Sequence, residues 1–287
     1  MKTEKFSKGS EQENDMASFG GISHFSCSSS LPDLGQPAPS LQNRHLNSLE
    51  NLPNNRATRT FRLSDPRLLA AAGMVRFGSV AADIGADHGY LICHLVREGI
   101  SPKGFACDIN AGPLAACANT VAEQGLEDKI TLLQTNGLCG LPLEKVDDII
   151  IAGMGGELIA DILAASPAAQ DKRLRFILQP MTKSNRLRCA LYQMGYALER
   201  EIAVRAGGNL YTVMRAVFTG QSVKVNKLFA LVGLLPEEGT PESRELLAQT
   251  ALRLKKAAEG LMQSKTPRGI KKAANYQRLA AEIEKRN

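Results

Sequence analysis

Val80-Ala81-Ala82-Asp83-Ile84-Gly85-Ala86-Asp87-His88-Gly89-Tyr90 joins an apolar run to a pair of spaced glycines. Its first residues read as a short buried strand, its glycines as a tight turn, and the residues from Tyr90 onward as a helix. That order opens a nucleotide-binding βαβ unit, where backbone passes close to a ligand and only glycine leaves room. A dinucleotide site carries G-x-G-x-x-G, so that a pyrophosphate can sit on the helix N-terminus. Here three residues separate Gly85 from Gly89, and the carboxylates of Asp83 and Asp87 would repel a pyrophosphate. The same carboxylates suit S-adenosyl-L-methionine, which has no phosphate and carries a sulfonium and an ammonium.

The following residues extend the unit. Gly104-Phe105-Ala106-Cys107-Asp108 reads as a second strand ending in an acid 23 residues after Gly85, the expected partner of ribose hydroxyls. Pro113 sits early in a helix that runs to about Gly125, a natural C-cap. Ile130–Leu133 is a third strand, closed by Asn136-Gly137. Val146–Gly153 is a fourth, continuing into Met154-Gly155-Gly156 and a helix, and Arg175–Leu178 is a fifth, ending at Gln179-Pro180. Strand–helix alternation predicts a parallel sheet with helices on both faces and a ligand at the strands' carboxyl ends. Asp83, Asp108, Asn136, Gly153 and Gln179 all fall there. Ala197–Val204 and Leu210–Phe218 then predict a closing hairpin turned at Gly207-Gly208.

Flanking this core are two different segments. Residues 1–60 are rich in Ser, Asn, Pro and Gln without a sustained period, which predicts a disordered extension. Ser64-Asp65-Pro66 opens a helix with an N-cap and an early proline, its apolar face being Leu68, Leu69, Ala72 and Val75. Residues 61–220 form the expected catalytic-type domain and 221–287 a basic helical one. In the latter, Thr240-Pro241 and Thr266-Pro267 start two helices that pair as a hairpin. Leu246, Leu247, Leu254, Ala258 and Leu261 line one, and Ile270, Ala274, Leu279 and Ile283 the other.

The net charge of +6 is unevenly placed. Residues 1–60 are neutral, residues 251–287 carry +7, and 61–250 carry −1. A basic tail attracts a polyanion by displacing counterions from phosphates, and Lys271 and Lys272 are candidate contacts in it. No apolar run reaches the roughly 18–20 residues of a membrane span, and the N-terminus has no signal-peptide pattern, so a cytoplasmic location is expected. Six cysteines without a C-x-x-C pair read as reduced thiols, with no metal site.

Asp83-Ile84-Gly85-Ala86-Asp87-His88-Gly89-Tyr90-Leu91, Gly112-Pro113-Leu114, Asn136-Gly137-Leu138, Ile151-Ala152-Gly153-Met154-Gly155-Gly156 and Leu178-Gln179-Pro180 resemble, in order, the motifs of bacterial tRNA adenine-22 N1-methyltransferases. Pro66-Arg67-Leu68, Leu187-Arg188, Gly195-Tyr196 and Tyr211 fit the same pattern, so the resemblance covers about residues 63–220. It implies a Rossmann-like class I methyltransferase sheet, mostly parallel with an antiparallel final hairpin, and a C-terminal α-helical hairpin. It also implies S-adenosyl-L-methionine as donor and an unpaired tRNA adenine as acceptor. Departures from the family pattern are Gly89 for Ala, Ile92 for Pro, Asn136 for Asp, Met181 for Asn, and the turn Ala206-Gly207-Gly208-Asn209 for an acidic-glycine turn.

Adenine N1 is a weak in-plane nucleophile that base pairing blocks, so the base must be unpaired and unstacked. No proton leaves N1 first. Methylation creates a cationic ring that a carboxylate can stabilise. Asp87 is the candidate carboxylate, with helix capping as its ordinary alternative. His88 is a candidate for substrate contact or turn support, and Tyr90 for stacking on the base, although spacing alone reads Tyr90 as a core residue. The donor is expected on Asp83, Gly85, Asp108, Asn136, Gly137 and Gly153. The substrate is expected on Arg67, Met154, Gly155, Gly156, Gln179, Pro180 and Arg188. Two other readings stay open: a methyltransferase acting on a small molecule or protein, and a non-catalytic RNA-binding module with a decayed donor site.

Overall fold

The computed structural model describes residues 62–263 and 265–287; the expected extension, 1–60, lies outside them. The chain runs through a helix α1 (Pro66–Ala72), then β1 (Ala81–Ile84), α2 (Tyr90–Arg97), β2 (Gly104–Asp108), α3 (Ala111–Glu123) and β3 (Ile130–Gln134). It continues through β4 (Asp148–Gly155), α4 (Gly156–Ala164), β5 (Arg175–Thr182), α5 (Ser184–Gln193), β6 (Tyr196–Ala206) and β7 (Asn209–Phe218). Four helices follow: α6 (Lys227–Val232), α7 (Leu235–Glu238), α8 (Pro241–Gln263) and α9 (Pro267–Glu284). The seven strands form one sheet in the order β3-β2-β1-β4-β5-β7-β6. The first five are parallel, and β7 pairs antiparallel with both β5 and β6.

Alternation along the strands sorts the core onto two faces. Ile149 and Ile151 of β4 pack with Ile159 and Leu163 of α4 and with Leu187 and Leu191 of α5. Ile150, between them, packs on the other side with Ala71, Leu91, Leu95 and Val121 from α1, α2 and α3. A fully covered parallel sheet needs apolar residues on both faces, which is why Ile149, Ile150 and Ile151 follow one another in β4. The chain leaves β1 towards β2 and β3 and then returns to place β4 on β1's other side. That reversal opens a crevice at the carboxyl ends of β1 and β4.

The helix starts follow local chemistry. Asp65 caps α1, its Oδ1 accepting the Arg67 N–H at 2.9 Å, and Thr266 caps α9 by accepting from the Gly269 N–H at 3.1 Å. Two predicted apolar faces are displaced. Leu69 of α1 is 41% exposed, because the stripe that meets the core runs through Leu68, Ala71, Ala72 and Val75 and leaves it to one side. In α9, Ile270 and Ala274 are exposed, and the contact face is Gly269, Ala273, Leu279, Ala280 and Ile283. Small residues win those positions because helices approach closely where side chains are short.

The helices after Gly220 are fastened to the sheet. Ala203 of β6 packs with Val232, Leu235, Leu247, Ala251, Ala280 and Ile283 in a third core. Among the described residues no helix is long and apolar enough to cross a membrane.

Candidate active site

The crevice has a volume of about 470 Å³. Leu63, Ser64, Asp65 and Arg67 wall one side of it, and Asp83, Gly85, Asp87, His88 and Tyr90 form its floor and mouth. Ala152 and Gly153 come from β4 and Gln179 from β5.

The floor is built by the glycine turn. Gly85 and Gly89 have φ of 75° and 70°, and Asp87 between them has φ of 48°. The N–H groups of Gly85 and Ala86 donate to the Cys107 carbonyl at 2.8 and 2.9 Å, tying the turn to β2. A Cβ at Gly85 would overlap Met154 Cε, and one at Gly89 would overlap Cys117 Sγ. The thiol of Cys117 therefore fills the space that a side chain at 89 would need. Burial pushes the thiols of Cys93, Cys107 and Cys117 up to about 12, so they act as small apolar groups.

Asp83 lies at the bottom, 4% exposed. Burial, and then the neighbouring Asp108 charge, push its carboxyl up to about 7. Asp108, at the end of β2, is also buried and accepts the Asn110 N–H at 2.9 Å. The residue after it, Ile109, is 56% exposed. Asn136 is exposed beyond the end of β3.

At the mouth, Asp87 is not a helix cap: α2 is capped by Gly89, without a side-chain bond. The Asp87 carboxylate is exposed in a left-handed backbone, with Oδ1 3.8 Å from His88 Nε2. Non-glycine residues held in that region concentrate at functional sites. The His88 ring stacks on Tyr90 with centroids 5.3 Å apart and planes at 11°. Tyr90 is 42% exposed rather than in the core, because it begins α2 on the crevice side.

Arg67 is immobilised. Its Nη2 meets Asp65 Oδ2 at 2.6 Å, its Nη1 donates to Met181 Sδ, and its guanidinium lies 5.3 Å from the Tyr211 ring centroid. The bond to Asp65 holds the Arg67 guanidinium above, and the Asp65 carboxyl below, their ordinary ranges. The sequence marks Asp65 only as a helix cap and Tyr211 only as a motif residue, and the structure brings both against Arg67.

Several expected contacts have other tasks. Gln179 is fully buried; its Oε1 accepts the Gly153 N–H at 3.0 Å and its Nε2 donates to the Pro180 carbonyl at 3.2 Å. It thus holds Gly153, at φ 78°, open to the crevice, while Pro180 is buried behind it. Met154 packs beneath Gly85. Gly155 precedes α4. Gly156 is buried where a Cβ would come within 2.7 Å of the Lys183 carbonyl, so it permits packing rather than substrate approach. Gly137 lies under α4, where a Cβ would come within 3.0 Å of Ile162.

Arg188 requires correction as a substrate contact. It is 1% exposed, with Nη2 2.5 Å from the fully buried Glu201 and Nη1 donating to the carbonyls of Ala230 and Leu231 at 2.8 and 3.1 Å. Glu201 also accepts the Leu234 N–H at 3.1 Å. A charged residue in α5 had to be neutralised once α6 covered it. Lys271 and Lys272 are exposed on α9 and do not line the crevice. The turn at Gly207 and Gly208, with φ of 54° and 80°, is the tight reversal that a right-twisted hairpin requires. Among the described residues no group of His, Cys, Asp or Glu could hold a metal ion.

Residues 64–214 match the family described as a methyltransferase domain. The tRNA (adenine(22)-N(1))-methyltransferase of Bacillus subtilis is 37% identical over 150 residues, covering 52% of this chain and 63% of that protein, so the aligned stretch falls short of two thirds of the relative. The crystal structure of the 1-methyladenosine-22 tRNA methyltransferase TrmK from B. subtilis superposes with a TM-score of 0.68 at 30% identity, covering 78% of this chain and 99% of that one. A Streptococcus pneumoniae candidate for the same activity, crystallised with S-adenosyl-L-methionine, superposes with a TM-score of 0.63 at 27% identity, over 76% and 97% of the two chains. With its glycine turn, its strand order and a match over more than half its length, this chain belongs to the methyltransferase domain family.

Proposed function

We propose that this protein transfers a methyl group from S-adenosyl-L-methionine to N1 of an unpaired adenine at position 22 of tRNA. The observation that carries the reading is one crevice lined by both a buried carboxylate, Asp83, and an exposed one, Asp87.

The residues fit the donor. Asp83 offers a buried negative charge that an ammonium would stabilise, since an opposite charge favours the ionised carboxyl. Asp108, buried at the end of β2, is the residue we assign to the ribose hydroxyls. When bound, the donor supplies an electrophilic methyl group on a sulfonium. The chain's own contribution is alignment and charge. Gly153, held by Gln179, lets backbone approach the reacting centre. The stacked His88 and Tyr90 present a flat face for an extruded base. We assign to Asp87, exposed in the crevice lining, the role of stabilising the positive charge that appears on the adenine ring. Similarity to the B. subtilis enzymes supports tRNA as the acceptor.

The test is methylation of tRNA transcripts carrying adenine or guanine at position 22, with the product mapped. Incorporation at position 22 of the adenine transcript alone is expected; equal incorporation into both would overturn the site assignment. Asp87→Asn, which removes charge but little volume, is expected to lower kcat about 100-fold or more with donor affinity unchanged. An unchanged kcat would leave Asp87 a turn residue.

A further inference from the structure

A second cavity, of about 330 Å³, opens between the start of α5 and the helical pair. It shares no lining residue with the crevice. Thr212 of β7 lines it, whereas the adjacent Tyr211 stacks under Arg67 at the crevice. Neighbouring strand residues point to opposite faces, so the two cavities flank one sheet edge from its two sides.

The chemistry of the cavity is one-signed. Among the described residues, Lys183, Arg188 and Arg253 line it and no Asp or Glu does. Arg188 is consumed by Glu201, and Lys183 pairs with Glu157 at the surface, which leaves Arg253, bonded at 3.0 Å to the neutral Thr250 hydroxyl. Ser184 and Asn185 form the first turn of α5, a ten-residue helix without a side-chain cap. Its leading N–H groups and dipole favour an anion there. An independent observation points the same way. The Thr212 side chain in the cavity wall is buried, 4% exposed, and its hydroxyl has no hydrogen-bond partner among the described residues. A buried polar group left unpaired is costly, and its presence calls for a ligand.

We infer that this cavity is a seat for a backbone phosphate of the RNA whose adenine enters the crevice. The assignment rests on the tRNA reading above. Arg253 supplies the charge, the α5 N-terminus supplies backbone donors, and Thr212 donates its hydroxyl. A phosphate held on one side of the sheet edge fixes the strand's register relative to the base taken up on the other.

The test measures tRNA binding by the full chain across a salt series for Arg253→Ala and Thr212→Val, with donor affinity and thermal midpoint alongside. Arg253→Ala is expected to weaken tRNA binding about tenfold and to reduce the slope of log affinity against log salt by about 1. Thr212→Val is expected to cost about fivefold, with a midpoint no lower than wild type because it deletes an unpaired buried hydroxyl. Donor affinity stays unchanged in both. Wild-type tRNA affinity in both variants would overturn the assignment. Loss in Arg253→Ala alone would overturn it too, by placing the effect in surface charge. If the wild-type chain neither binds nor methylates the transcript, the tRNA reading itself falls, and the phosphate seat with it.

Discussion

Burial holds the Asp83 carboxyl at about 7, well above the ordinary value near 3.9. The unfolded chain therefore releases this proton at lower pH than the folded one does. Stability from this group is complete below the unfolded value, declines as pH rises towards 7, and is lost above it. The cost in the ligand-free protein is about 4 kcal/mol at pH 8. Asp83→Asn should thus raise the thermal midpoint by several degrees at pH 8 and by less at pH 5, as thermal denaturation at the two pH values will show. The same substitution should abolish donor binding, since the site's charge is what it removes. Donor affinity of the wild type should weaken as pH falls below about 7, when the carboxyl takes up a proton. A flat calorimetric profile from pH 8 to pH 6 would separate Asp83 from the donor.

At the scale of elements, the Arg188–Glu201 pair joins three pieces that lie apart in the chain. Arg188 comes from α5, Glu201 from β6, and the capped carbonyls from the end of α6. Gly233 passes so close, at φ 55°, that a Cβ there would overlap the Glu201 carboxylate. Removing one partner leaves a buried charge alone, so Arg188→Ala should lower stability by about 3–5 kcal/mol in chemical denaturation. Replacing both, Arg188→Met with Glu201→Leu, should restore much of that loss, because the apolar pair has no charge to desolvate. Glycine turns work at the same scale. The Gly85–Gly89 turn needs Met154 from β4 and Cys117 from α3 to leave room on its two sides, so its shape belongs to the packed unit rather than to the turn alone.

For the whole molecule, charge and packing assign the tail two tasks. Residues 61–250 carry −1 while 251–287 carry +7, and screening limits long-range attraction to a Debye length of about 8 Å at physiological salt. tRNA affinity should therefore fall steeply with salt. Lys271→Ala with Lys272→Ala should reduce affinity and salt slope modestly, leaving the methylated position unchanged when the product is mapped. A double variant with wild-type slope would exclude α9 from the RNA surface. Deleting the whole tail is a poor test of this, because it would also uncover Ala203 and the Arg188–Glu201 pair.

The strand–turn–helix core was legible in the chain because its signals are local. A buried strand reads as an apolar run, a positive φ as glycine, and a cap as Asp or Thr before Pro. Asp83, Asp108 and Gly153 were placed at strand ends by that reading, and the sheet brings those ends to one edge. What the chain could not display is which side chains another element would cover. Arg188 reads as a free cation until α6 folds over it. Gln179 reads as a substrate contact until its amide is found holding Gly153, and Ile270 reads as core until small residues win the α8–α9 contact. The unpaired Thr212 hydroxyl has no signature in sequence at all. Periodicity and turn chemistry are set within a few residues and survive in the sequence. Burial and pairing depend on partners that only the tertiary structure brings within reach.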